Sequence, residues 1–168
     1  MPQSAPTIRT DDNGLTLVLD RTIAAPRSIV WRCWTEEALF KQWYCPAPWT
    51  VPFADFNLKP GGRMNMLMQG PNGEQQDLKG CLLEIVPEER LTFTDAYTEG
   101  YKPSPSSFMT GFVELTDSGK TRTQMTWGAR HATLEAAKQH LEMGFEDGWT
   151  ASSTQLDTLA QTLAKQQS

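Results

Sequence analysis

Apolar and polar residues alternate through the middle of this chain, and the period lengthens only near its end. Leu15, Leu17 and Leu19 share one face of a stretch that also carries Thr and Val, which predicts a first strand over Leu15–Ala24. Pro26 suits the start of a helix whose apolar face is Ile29, Val30, Cys33 and Trp34. Thr35 suits the N-cap of a second short helix, with Glu36 and Glu37 in its first turn and Ala38, Leu39, Phe40 and Trp43 on its buried side. Cys45-Pro-Ala-Pro-Trp49 reads as a loop.

Alternation then returns. Strands are predicted over Val51–Leu58, Arg63–Gln69, Gln76–Val86, Arg90–Tyr97, Ser107–Thr116 and Thr121–Arg130. Turn residues separate them at Lys59-Pro60-Gly61-Gly62, at Pro71-Asn72-Gly73 and at a tight hairpin, Asp117-Ser118-Gly119. Thr98 to Pro105 is a longer loop. From Thr133 the spacing is helical, with a bend at Gly144, and Phe145, Trp149, Leu156, Leu159, Ala160 and Leu163 form one apolar stripe. Gly148 beside Trp149 predicts a close approach of the helix backbone where a large ring reaches inward.

One amphipathic helix after a run of hairpin-linked strands must bury its stripe against their sheet. The expected class is α+β: a curved antiparallel sheet of about six or seven strands wrapped around a long C-terminal helix, with two short helices after the first strand. Residues 1–13 read as a disordered lead-in and 14–168 as a single domain. A sheet curved in this way leaves room for a cavity, and six Trp with seven Met supply the residue types that line one. Strand alternation places Phe53, Met64, Met66, Met68, Phe93, Met125 and Trp127 toward it, faced from the helix by Trp149 and Ser153. Trp149 also anchors the helix to the core.

The formal charge of −5, with no Lys/Arg run to follow a phosphate backbone, argues against nucleic acid. Residues 1–14 lack the apolar core of a signal peptide, and no stretch is long enough for a membrane span. Cys33, Cys45 and Cys81 have no metal-like spacing, so they read as free thiols of a reducing cytoplasm, with Cys45 the more exposed. His131 and His140 stand nine residues apart, off any common helical face and without a third ligand, so both read as surface residues and no metal is expected. No nucleophile elbow or phosphate loop is present, so no catalytic residue and no cofactor are assigned. Asp55, Asp95 and Glu114 point inward or outward according to strand phase.

Several stretches recur in a characteristic order from Leu15 onward. They are Pro26-Arg-Ser-Ile-Val-Trp31 with Trp34-Thr35 and Trp43, then Leu58-Lys-Pro-Gly61-Gly62-Arg63. Gly80 and Glu84-Ile-Val-Pro87-Glu-Glu-Arg90-Leu91-Thr-Phe93-Thr94 follow, and Gly148-Trp149 with Leu156 and Leu159 close the set. In this order the chain resembles the START-like (SRPBCC, helix-grip) superfamily, and within it the bacterial branch named for homology to the activator of Hsp90 ATPase. The resemblance implies a helix-grip fold with a deep cavity between long helix and sheet. Members of the wider superfamily bind lipids, sterols, hormones and polyketides, and some catalyse cyclisation or hydrolysis. Two departures stand out: Asn57 and Lys59 replace the Asp and Arg often found before the Gly-Gly turn, removing an ion pair there, and the 97–107 loop is individual.

The expected function is therefore binding of an apolar or aromatic small molecule, in the cytoplasm, with entry gated by the Tyr97–Ser107 loop and the start of the long helix. A homodimer is compatible with this reading. Two alternatives stay open: a cyclase- or hydrolase-type enzyme using a cavity carboxylate, and a protein-interaction or co-chaperone-like module exposing an apolar patch.

Overall fold

A computed structural model of the chain describes residues 3–167. Its main sheet has eight strands in the order β1-β2-β10-β9-β6-β5-β4-β3, and every neighbouring pair is antiparallel. In chain order these are β1 (Thr7–Asp11), β2 (Thr16–Ile23), β3 (Thr50–Phe56), β4 (Arg63–Gln69), β5 (Gln75–Val86), β6 (Arg90–Thr94), β9 (Thr110–Asp117) and β10 (Thr123–Arg130). Helices α1 (Arg27–Thr35) and α2 (Glu37–Phe40) lie between β2 and β3, and α3 (Leu134–Glu142) precedes the long α4 (Phe145–Gln167). The class is α+β, a large curved antiparallel sheet with a long C-terminal helix, as the pattern predicts, and this is the helix-grip arrangement that the resemblance implies.

The strand count and the lead-in need correction. Thr7–Asp11 is an ordered edge strand, each residue registered against β2 from Asp20 to Thr16. Its only apolar residue is Ile8, so alternation carries no signal there; backbone pairing with β2 makes it a strand. Within the Thr98–Pro105 loop, β7 (Tyr97–Thr98) and β8 (Lys102–Pro103) form a small separate hairpin. The bend expected at Gly144 is a full break. Gly144 adopts φ +95, a left-handed conformation that suits glycine and lets α4 leave in a new direction. Thr133, by contrast, accepts a hydrogen bond from the Ala136 N–H at 3.1 Å and caps α3. Thr35 does not cap α2: its hydroxyl donates back to the Trp31 carbonyl, and extended Glu36 is the residue before α2.

Between α1, α2 and the sheet sits an aromatic core. Trp34 lies at its centre, edge-on to Trp43 at 4.7 Å and to Trp127 at 5.2 Å, and Phe40 stacks on Tyr44 at 4.3 Å. Edge-to-face pairs of this kind add roughly 0.5–1.5 kcal/mol each beyond their area burial. The Trp43 indole donates to the Cys33 carbonyl at 2.8 Å, which ties α1 to the segment after α2. All three cysteines are free and buried, Cys45 included; burial pushes its thiol up to about 11, so loop position did not translate into exposure.

The chain from Asn57 to Arg63 makes a tight turn. Gly62 donates to the Lys59 carbonyl, Gly61 to the Leu82 carbonyl, and Asn57 to the Arg63 carbonyl. Although Asn57 and Lys59 carry no ion pair among the described residues, Arg63 supplies one of its own. It reaches Asp55 at 2.8 Å and Glu99 at 3.0 Å, so the turn is tied to the β7–β8 hairpin.

Sequence also missed the polar contact that seats α4 on the sheet. Arg21 is inward on β2 and only 5% exposed. It donates to the hydroxyls of Ser153 at 2.9 Å and Thr154 at 2.7 Å. Asp157, wholly buried one turn further along α4, accepts from the Ala24 backbone N–H at 2.9 Å. Burial lowers the Arg21 pKa and the charge of Asp157 opposes that shift.

Candidate functional site

A cavity of about 460 Å³ opens between the sheet and the first turns of α4. On β4, Met64, Met66 and Met68 face it from alternate positions, and the registered partners on β5 are Gly80, Leu78 and Gln76. Phe93 comes from β6 and Trp127 from β10. The opposite wall is Phe145, Gly148, Trp149 and Ser152 of α4, with His140 of α3 and Met143 just past its end beside it. Tyr44 to Pro46 and Phe108–Met109 close the ends. Trp127 and Trp149 stack at 3.9 Å with their planes 16° apart, so one ring pair bridges sheet and helix.

Of the nine residues expected at the cavity, the structure brings together Met64, Met66, Met68, Phe93, Trp127 and Trp149. Phe53 is outside it and 54% exposed. A register shift between Thr50 and Phe53 inverts the phase of β3, so Ala54 and Phe56 stand opposite the inward Met66 and Met64 instead. Met125 and Ser153 do point inward, but at the level of Arg21, where α4 rests on β2 and no space remains. Alternation gives the face of a strand, not the depth at which helix and sheet touch.

Gly148 is not a forced approach. A Cβ there meets only Pro46, at 3.9 Å, so glycine enlarges the cavity instead of permitting contact. Gly111 has the opposite role: a Cβ would overlap the Phe93 ring, and glycine lets that ring lie flat on β9 as part of the cavity floor.

The histidines are the main correction. Both are buried and they touch, His131 Nε2 lying 3.0 Å from His140 Nδ1. Nine residues separate them in sequence, but β10 ends at Arg130 and α3 folds back, so two elements and not one helical face bring them together. Phe108, Phe145 and Trp149 meet the His140 ring at 4.8, 5.1 and 5.8 Å. Burial first, and the neighbouring His131 second, lower His140 from 6.5 to about 4. A histidine buried neutral and protonated on unfolding stabilises fully above about pH 6.5, and that contribution is withdrawn as pH falls toward 4. The urea midpoint of the wild type is expected to drop through this window more than that of His140→Phe. Equal slopes would show that His140 takes up its proton while folded.

Carboxylates play little part at the cavity. Asp55 pairs with Arg63, and Glu114 is exposed on the outer face. Asp95 borders the cavity, but its oxygens accept from the backbone N–H groups of Phe108 and Met109 and from the Ser107 hydroxyl, so it works as a clamp on that loop. The Tyr97–Ser107 loop itself does not line the cavity. The rim is built from the α3–α4 joint, where Met143 is 65% exposed, and from Leu78 and Gln76 of β5. Among the described residues no group of three or more His, Cys, Asp or Glu is placed to hold a metal, and no helix is long and apolar enough to cross a membrane.

The family described as Activator of Hsp90 ATPase homolog 1-like protein matches residues 24–161. The chain belongs to that family. A crystal structure of a Nitrosomonas europaea protein is similar at 38% identity and TM-score 0.87, covering 90% of this chain and 97% of that one. A Mycobacterium smegmatis protein is 25% identical with TM-score 0.77, over 92% and 96% of the two chains. One from Rhodobacter sphaeroides, 20% identical over 94% and 99% with TM-score 0.80, shares the fold. No curated protein matches this chain.

Proposed function

We propose that this family member binds an apolar or aromatic small molecule between its sheet and the start of α4. The observation that carries the reading is the cavity of about 460 Å³ walled by three methionines, Phe93 and the stacked Trp127–Trp149 pair. Thioether side chains adapt to irregular shapes, and the rings offer flat area for stacking. The volume falls within the roughly 300–1,000 Å³ of small-molecule sites. Entry is over the Met143–Leu78 rim, where the helix break at Gly144 supplies a pivot. The three unpaired thiols support a reducing, cytoplasmic setting.

Native mass spectrometry of freshly purified protein tests this directly. A discrete small adduct that departs on denaturation is expected for the wild type. In Gly148→Leu the new side chain enters the cavity past Pro46 without a backbone clash, and the adduct should be absent. The same position separates occupancy from folding. Gly148→Ala is expected to stabilise the protein by about 0.5–1 kcal/mol, since a helix-interior glycine is replaced by the best helix former. An adduct that persists unchanged in Gly148→Leu would place it elsewhere on the molecule.

A further inference from the structure

The hydrogen bonds around the histidine pair run in one direction. His131 Nδ1 lies 2.9 Å from the Leu15 carbonyl oxygen, which can only accept. With both rings neutral, His131 Nδ1 therefore carries the proton and its Nε2 is a bare lone pair. That lone pair faces His140 Nδ1 at 3.0 Å, so His140 Nδ1 must be the donor. The proton of His140 is thus spent inside the protein, and its Nε2 is left as an acceptor. Among the described residues, no group donates to it.

His140 lines the cavity, and the rings of Phe108, Phe145 and Trp149 surround it edge-on. His140 Nε2 has no protein partner among the described residues and is not sealed off as a buried atom, so a donor in the cavity can reach it. Neither histidine makes an ion pair among the described residues, so no carboxylate is at hand to stabilise a charged ring. The lowered pKa of His140 agrees with a ring that stays neutral.

We infer that the cavity is specific for an apolar or aromatic molecule carrying a hydroxyl or N–H group, held by donation of that hydrogen to His140 Nε2. This rests on the small-molecule reading above and adds the polar group that orients the ligand. The backbone carbonyl of Leu15, fixed at the β2 end, sets the direction of the whole chain of hydrogen bonds. His131 is accordingly a positioning residue, which holds His140 in the tautomer that accepts.

Two probes matched in shape separate the claims: 2-naphthol, which has the donor, and 2-methoxynaphthalene, which does not. Binding is measured by titration at mildly alkaline pH, where imidazoles are neutral. Wild type is expected to prefer the naphthol by about tenfold, the worth of one good buried hydrogen bond. His140→Phe, which removes the acceptor, should bind the two alike. Equal binding of both probes by the wild type, or a preference that survives in His140→Phe, overturns the inference and leaves the cavity reading standing. Binding of neither probe overturns both. Should the variant fold poorly, imidazole nitrogen resonances of the wild type decide the matter: both Nδ1 atoms protonated and both Nε2 atoms bare is the expected pattern. An Nε2-protonated His140 would refute it.

Discussion

Asp157→Ala is expected to cost about 3–5 kcal/mol of folding stability, a large share of what a domain of this size possesses. The carboxylate is completely buried on α4 and supports two elements at once. One oxygen accepts from the Ala24 N–H at 2.9 Å, at the exit of β2, and from the Gln161 side chain at 3.2 Å. Its charge is also the one that opposes the desolvation of Arg21. Alanine removes the opposite charge near a buried guanidinium and leaves a backbone N–H without a partner. Arg21 Nε and Asp157 Oδ2 already lack protein partners, so little spare hydrogen bonding exists to absorb the loss. Replacing both charges, as in Arg21→Met with Asp157→Leu, is expected to recover most of the stability, because apolar residues of similar volume often match or exceed buried charges. Chemical denaturation of the wild type and these two variants checks this. A single-variant loss below about 1 kcal/mol would mean that Arg21 reaches water, contrary to its burial.

Gly62→Ala ranks next, with an expected loss of about 3 kcal/mol. The residue has an ordinary φ, so the effect does not come from backbone freedom. A Cβ at this position overlaps the Asn57 carbonyl oxygen and lies 2.9 Å from that of Lys59. Backbone oxygens cannot rotate aside as a side chain does. The turn must open, which loosens the Gly62–Lys59 bond and the pairing of Leu82 N–H with the Gly62 carbonyl. The β4 end would move with it, and Met64 is two residues away. Thermal unfolding is the measurement, read against Gly148→Ala as a glycine change with room to spare. A midpoint within a degree or so of wild type would show that the turn relaxes at low cost.

Both residues show how unevenly the chain can be read. Gly61-Gly62 is visible as a turn in sequence, and the reason for it, a carbonyl where a methyl would go, is visible only in space. Arg21 and Asp157 carried no signal. A lone arginine among the alternating residues of β2 and a lone aspartate on an amphipathic helix look like solvent-facing positions until the helix is seated. His131 and His140 read as surface residues in sequence because linear spacing measures one helix face, and their contact crosses a strand end and a separate helix. For Phe53 a single register shift was enough to turn an inward residue outward.

Periodicity by itself determined the α+β class, the antiparallel strand order along the chain, the long closing helix and the methionine face of β4, because each follows from local alternation between water and core. Tertiary structure alone decided where helix and sheet part to leave a cavity, which inward residues reach it, that Thr7–Asp11 is a strand, and that two distant histidines share a hydrogen bond. Those features depend on how far apart packed elements stand and on which backbone groups remain to be paired, and neither quantity is written in the period of a single segment.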